Sequence, residues 1–172
     1  MVKRIAVYPA TLDPIHNGHI DVALRASNVF DEVILAIYTH RTRVSKNVLL
    51  PVDLRIELAE KCFENYNNIS VARFSGLTVD YVKAVGGMAI VRGLRVFGDF
   101  EFEFRMGIAN KKLAPSIETV AILADEQYIH ISSSTVREIA ELGGDVSTMV
   151  PAHVEEALKQ RYAILQAQED EN

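Results

Sequence analysis

The stretch from Lys3 to Tyr38, KRIAVYPATLDPIHNGHIDVALRASNVFDEVILAIY, decides the fold. It begins with a short β-branched run, KRIAVY, stopped by Pro9, and ends in a second continuous apolar run, EVILAIY. Between them Ile20, Ala23, Leu24 and Ser27 recur at helical spacing. A strand apolar at nearly every position is one buried on both faces, as in a parallel sheet covered by helices. The expectation is a strand over residues 3–8, a loop over 10–17, a helix from Gly18 or His19 to about Phe30, and a strand over 32–38.

The alternation continues outward from this unit. Helical spacing predicts helices over 52–66, 78–85 (stopped by Gly86-Gly87), 99–113 and 133–142 (stopped by Gly143-Gly144). Short apolar runs predict strands over 69–74, 88–91 and 119–123. Pro151 opens a last helix to about Leu165. The whole predicts an α/β fold: a Rossmann-like, doubly wound, five-stranded parallel sheet with helices on both faces, plus a C-terminal helix. Residues 1–165 are expected to form a single domain, and the acidic tail QAQEDEN, 166–172, to fray.

Bulk properties narrow the function. The net charge of −5 argues against a nucleic-acid partner. The single cysteine, Cys62, cannot form an internal disulfide, which fits a reducing compartment. There is no apolar run of the roughly 18 residues that a spanning helix needs, and the start lacks a signal-peptide cleavage pattern. A cytoplasmic protein without a membrane partner is the expectation.

Open parallel sheets bind ligands beyond the carboxyl ends of their strands, so the loops there carry the functional reading. The first holds Thr11, Asp13, His16, Asn17, Gly18 and His19. A helix starting near Gly18 points free N–H groups and a positive dipole end at this loop, which suits a phosphate. Gly18 lacks a Cβ that would keep an anion from the backbone, and His16 and His19 lie one turn apart. Local capping and packing would also account for the histidines, and a metal held by them with Asp13 stays open. The second loop holds Arg41, Arg43 and Lys46, a charge run that solvent alone would explain. After the fourth strand come Arg92, Gly93 and Arg95: two guanidinium forks suited to phosphate oxygens, or two arginines answering Asp99, Glu101 and Glu103. After the fifth, Ser132, Ser133 and Ser134 run into a helix, more hydroxyls than one cap uses.

Together, H-x-G-H after the first strand and I-S-S-S-T-x-x-R opening a late helix resemble the nucleotidyltransferase superfamily. The chain is most similar to the bacterial phosphopantetheine adenylyltransferase family, whose pattern reads YPGTFDPxTxGH, RGLRxxxDFEYE and FISSSxVRE. Here the stretches are YPATLDPIHNGH, RGLRVFGDFEFE and HISSSTVRE, and the resemblance spans about Lys3 to Tyr162. It implies transfer of AMP from ATP to 4′-phosphopantetheine, giving dephospho-coenzyme A and pyrophosphate in coenzyme A biosynthesis. It implies His19 as the transition-state stabiliser at the α-phosphate, with Thr11, Lys46, Thr78 and Arg92 at the acceptor. It places Thr11, Leu12, His16, His19, Gly93, Leu94, Arg95, Glu103, Tyr128, Ile129, His130, Ile131, Ser132, Ser133 and Ser134 at ATP. Mg²⁺ would ride on the ATP phosphates without protein ligands. A homohexamer, and coenzyme A as a feedback inhibitor, are further implications.

Several positions depart from the pattern. Ala10 stands for glycine, Leu12 for phenylalanine and His16 for a frequent threonine, and the second loop is about three residues longer. Aligning that loop from its right-hand side makes Lys46 the acceptor lysine; from the left it would be Arg43. Rival readings are a relative with another acceptor such as nicotinamide mononucleotide, a non-catalytic nucleotide-binding module, and a fragment related to class I aminoacyl-tRNA synthetases.

Overall fold

Successive residues of the central strands point to opposite faces of one sheet, and both faces are covered. The computed structural model describes residues 2–39 and 48–170. Its strands are β1 (Ile5–Ala10), β2 (Glu32–Tyr38), β3 (Ile69–Phe74), β4 (Ala89–Leu94) and β5 (Glu118–Leu123). Its helices are α1 (Asn17–Ser27), α2 (Val52–Phe63), α3 (Thr78–Ala84), α4 (Phe97–Leu113), α5 (Ser133–Glu141) and α6 (Ala152–Asp170), with a short 3-10 turn at Glu126–Tyr128. The strands form one sheet in the order β3-β2-β1-β4-β5, and every pairing is parallel.

On one face Ala6, Tyr8, Val33, Leu35, Ile37 and Val91 pack against α1, α2, α5 and α6 through Val22, Ala26, Leu58, Val136 and Leu158. On the other, Val7, Ile34, Ala36 and Ile90 meet Val79 and Val82 of α3, with Ala114 and Ile117 beyond α4. This is the doubly wound arrangement that the sequence predicts. Leu35 and Ile37 have no exposed surface, and each such burial contributes about 1.5–3 kcal/mol.

Most element ends shift by one to three residues from the sequence expectation, and of the larger shifts, three stand out, two of which shape the site. β1 runs through Pro9 to Ala10 instead of stopping at Tyr8. Its pairing with β2 continues to Ala10–Ile37, but its pairing with β4 is confined to Ala6–Ala89 and Val7–Ile90. The two central strands therefore separate at their carboxyl ends, at the topological switch point. The C=O of Pro9 faces that gap, where it accepts from Arg92 Nη1 at 2.8 Å. The N–H that proline lacks would face the same way, so no ladder bond is lost. β4 likewise continues to Leu94, because its pairing with β5 holds to Leu94–Leu123. Arg92, Gly93 and Leu94 are thus strand residues, not loop residues. The third difference is at the chain's end, where α6 continues past Leu165 to Asp170.

Candidate active site

α1 begins where the separated strand ends leave room, and its first turn is held by the two histidines. His16 is the N-cap. Its Nδ1 accepts from the His19 N–H, and His19 Nδ1 accepts from the His16 N–H, both at 3.3 Å. The rings stack with centroids 3.6 Å apart. This is a capping box built from two imidazoles instead of a hydroxyl and a carboxylate. An Nδ1 that accepts from an amide carries no proton, so each ring holds its proton on Nε2. Burial, helped by the neighbouring Arg95, lowers His16 to about 3. Burial, then His16, Arg95 and Arg92, hold His19 well below its ordinary value. Both are neutral donors at physiological pH. Gly18 is required here for a reason beyond anion access: a Cβ on it would lie 3.2 Å from His16 Cε1 and Nδ1, so it makes room for the stack.

Around this start lies a cavity of about 1000 Å³ at the carboxyl ends of β1 and β4. Thr11, Leu12, His16, His19, Thr78, Arg92, Gly93, Arg95, Glu103, Ser132, Ser133 and Ser134 line it, so the structure brings most of the expected site residues together. Leu94, Tyr128, Ile129, His130 and Ile131 are not in its lining. Ile131 is a core residue whose C=O accepts from Arg95 Nη1 at 2.7 Å, and Tyr128 Cβ stands 3.5 Å from the position of a Gly18 Cβ. Lys46, and with it Arg41 and Arg43, lies outside the described residues.

The arginines are already partnered. Arg92 gives Nε to Glu103 Oε2 at 2.6 Å and Nη2 to Glu103 Oε1. Arg95 gives Nε to Asp99 Oδ2 at 3.1 Å. Gly93 lets β4 approach α1, since a Cβ there would meet Val22 Cγ2 at 3.1 Å. Of the serines, Ser132 caps α5 by accepting from Thr135 N at 3.1 Å, and Ser133 Oγ donates to the Pro14 C=O at 2.9 Å. α5 is therefore tied to the first loop. Leu12, deeply buried, has φ +50°, a left-handed conformation that costs a residue with a Cβ about 1–2 kcal/mol.

Three residues brace the site in roles that the sequence did not assign them: Asp13, weighed there only as a metal ligand, with Arg55 and Arg137. The Asp13 carboxylate, 3% exposed, accepts the N–H groups of Leu49 and Leu50, each at 2.8 Å, and Arg137 Nη1 at 3.3 Å. These three donors tie the Asp13 carboxylate to the segment before α2 and to α5. Buried Arg55 donates to the C=O groups of Thr11, Tyr38 and Leu50. Arg137 also donates to the Asp13 C=O. The signal for Arg55 lay in the sequence: it is on the same helical stripe as Leu58, Ala59 and Cys62, where a charge must have partners. Among the described residues no group of three or more His, Cys, Asp or Glu is placed to hold a metal ion, and no helix is long and apolar enough to cross a membrane.

The sequence and fold match known proteins. A family model described as cytidylyltransferase-like matches residues 7–139. The phosphopantetheine adenylyltransferase of Roseiflexus sp. (strain RS-1) is 49% identical over 158 residues, covering 92% of this chain and 97% of its own. That of Thermomicrobium roseum is 46% identical over 160 residues, covering 93% and 96%. A crystal structure of a candidate nicotinate-nucleotide adenylyltransferase from Vibrio parahaemolyticus superposes with a TM-score of 0.68, covering 91% of this chain and 99% of that one. At 20% identity it speaks for the fold alone. Near-half identity over almost the full length of both sequences, with the motif residues gathered around one cleft, places the chain in the phosphopantetheine adenylyltransferase family of nucleotidyltransferases.

Proposed function

We propose that the chain transfers AMP from ATP to the phosphate of 4′-phosphopantetheine, releasing pyrophosphate and dephospho-coenzyme A. The relatives' names support this reading. The observation that carries it is the cleft, where neutral imidazole donors, guanidinium forks and the N-termini of α1 and α5 meet.

The chemistry needs little more. An acceptor phosphate is already an anion, so no side chain has to deprotonate it. The barrier lies in bringing two anions together and in stabilising charge on the α-phosphate, which is work for positioning and for oriented donors. His19 donates from Nε2 to an α-phosphate oxygen, and its Nδ1 bond to the backbone keeps that proton in place. Thr11 and Arg92 hold the acceptor phosphate, with Lys46 as their expected partner and Thr78 along the pantetheine arm. Gly93 to Arg95 and the run from Tyr128 to Ser134 hold ATP, with His130, Ile129 and Leu94 contributing through backbone and packing outside the cleft lining.

Mg²⁺ fits as a companion of the triphosphate. The carboxylates lining the cleft, Asp13, Asp99 and Glu103, are each engaged by arginine or backbone donors, while the substrate brings its own hard oxygens. When bound, the ion supplies neutralisation of the leaving pyrophosphate.

Residues 1–165 acting as one domain, a cytoplasmic location and coenzyme A as a competing ligand at the acceptor site belong to the same reading. So does a homohexamer. Its support is α4, which has no buried residue in the single chain and leaves Phe97, Phe100, Phe104 and Ile108 exposed.

The test is pyrophosphate release from purified protein with ATP and Mg²⁺, with 4′-phosphopantetheine, nicotinamide mononucleotide and glycerol 3-phosphate as parallel acceptors. Release with 4′-phosphopantetheine alone is expected. Release with a different acceptor would overturn the assignment, and release with none from protein that still binds ATP would favour a non-catalytic nucleotide-binding module.

A further inference from the structure

We infer that Glu103 is the positioning residue for Arg92: it holds one edge of the guanidinium so that the remaining N–H groups are aimed at the acceptor phosphate before that phosphate arrives. This rests on the proposed function and gives Glu103 a task beside the contact with ATP that the resemblance implies.

Arg92 stands in the gap where β1 and β4 have stopped pairing. Two elements fix it from different sides. From α4, Glu103 takes Nε and Nη2 with its two oxygens, a bidentate pair. From β1, the Pro9 C=O takes Nη1 at 2.8 Å. A guanidinium has five N–H bonds. These three contacts leave one N–H on Nη1 and one on Nη2, the two terminal nitrogens that can grip two oxygens of a single phosphate. Both side chains line the cleft and both are mostly shielded, with side-chain exposures of 29% for Arg92 and 13% for Glu103.

The charge argument separates orientation from attraction. If Arg92 served only to draw anions, a carboxylate locked on its fork would work against it. A carboxylate that uses one edge and frees another gives up some attraction for a fixed direction. Ordering a long side chain in advance removes a cost that would otherwise fall on substrate binding.

The test uses the full chain in the pyrophosphate-release assay, titrating each substrate separately. Glu103→Gln should raise KM for 4′-phosphopantetheine by about tenfold, the order expected when one rotamer-rich side chain must be ordered at binding, and leave KM for ATP within about twofold. A purely structural role is excluded by chemical rescue. In Arg92→Ala, added guanidinium ion should restore use of the acceptor, because Glu103 still marks its place. In Arg92→Ala/Glu103→Gln it should not. A rise in KM for ATP instead of the acceptor, or equal rescue in both variants, overturns the inference. Wild-type protein that fails to use 4′-phosphopantetheine overturns the proposed function and this inference with it; wild-type turnover with an unaffected Glu103→Gln overturns the inference alone.

Discussion

Replacing His19 separates two tasks that one ring performs. Nδ1 closes the capping box by accepting the His16 N–H at 3.3 Å, while Nε2 is the proposed donor to the α-phosphate. His19→Asn keeps a short acceptor near the Nδ1 position and removes everything beyond it. His19→Ala removes both. In alanine the His16 N–H loses its side-chain acceptor in a site where His16 is only 4% exposed. An unmet buried donor costs about 1–3 kcal/mol, so His19→Ala should unfold earlier in urea by that amount. His19→Asn should stay within about 1 kcal/mol of wild type, the order of an N-terminal cap. Turnover should fall in both by about 10²–10³, the usual loss when one donor to a developing anion is removed. Urea titration by circular dichroism and pyrophosphate release under saturating ATP give the two numbers on the same preparations. Wild-type turnover in His19→Asn would refute the catalytic role. Equal destabilisation by Asn and Ala would refute the account of the cap.

Further expectations follow from the same geometry. Because His16 and His19 are held neutral, the unfolded chain takes up protons that the folded chain excludes. Stability is therefore complete above about pH 6.5, the ordinary imidazole value, and falls below it by up to about 1.4 kcal/mol per pH unit for each ring. For His16 this continues down to about pH 3; His16→Asn should flatten the urea-derived slope below pH 6.5, and an unchanged slope would count against neutral imidazoles. Asp13→Asn should destabilise by about 3–5 kcal/mol, the range for removing one partner of a buried charged pair, because an amide meets two N–H groups and Arg137; a loss under about 1 kcal/mol by urea titration would show that these contacts are dispensable. Gly18→Ala pushes a methyl to within 3.2 Å of the His16 ring and should cost about 1–3 kcal/mol as an overpacked site, with reduced turnover; unchanged stability and rate would sink the proposed need for the stack. Phe104→Asp, on the exposed face of α4, should lower the assembled mass in sedimentation velocity, and an unchanged mass would separate that face from assembly.

What sequence could and could not show divides along a physical line. The βαβ alternation was legible because its signal is local: an apolar run such as EVILAIY states that both of its faces are buried. Strand ends were not, because they depend on a neighbour. Pro9 reads as a stop and Arg92-Gly93 as a loop, yet β1 continues since the missing N–H of Pro9 faces a gap, and β4 continues since β5 still pairs with it. The same dependence explains the site. Residue types and spacing were enough to bring His19, Arg92, Arg95 and the serines to one cleft. They could not show how Asp13, Arg55 and Arg137 brace it, since those contacts join the first loop to segments 36 to 124 residues away in sequence.

From sequence, capping and phosphate binding stood as alternatives for the histidines, and so did acid pairing and phosphate binding for the arginines. The structure shows the cap and the acid pairing, and in neither case does it use up the group. An imidazole has two nitrogens, and here the cap uses Nδ1. A guanidinium has more than one donor edge, and here Glu103 uses the edge carrying Nε. In each case the protein spends one side of the group on fixing its direction and leaves the other toward the cleft. For the proposed transfer between two anions this arrangement would order the donors in advance: two of them are neutral and two are half-compensated, so a net positive charge need not be confined in the cleft before the phosphates enter.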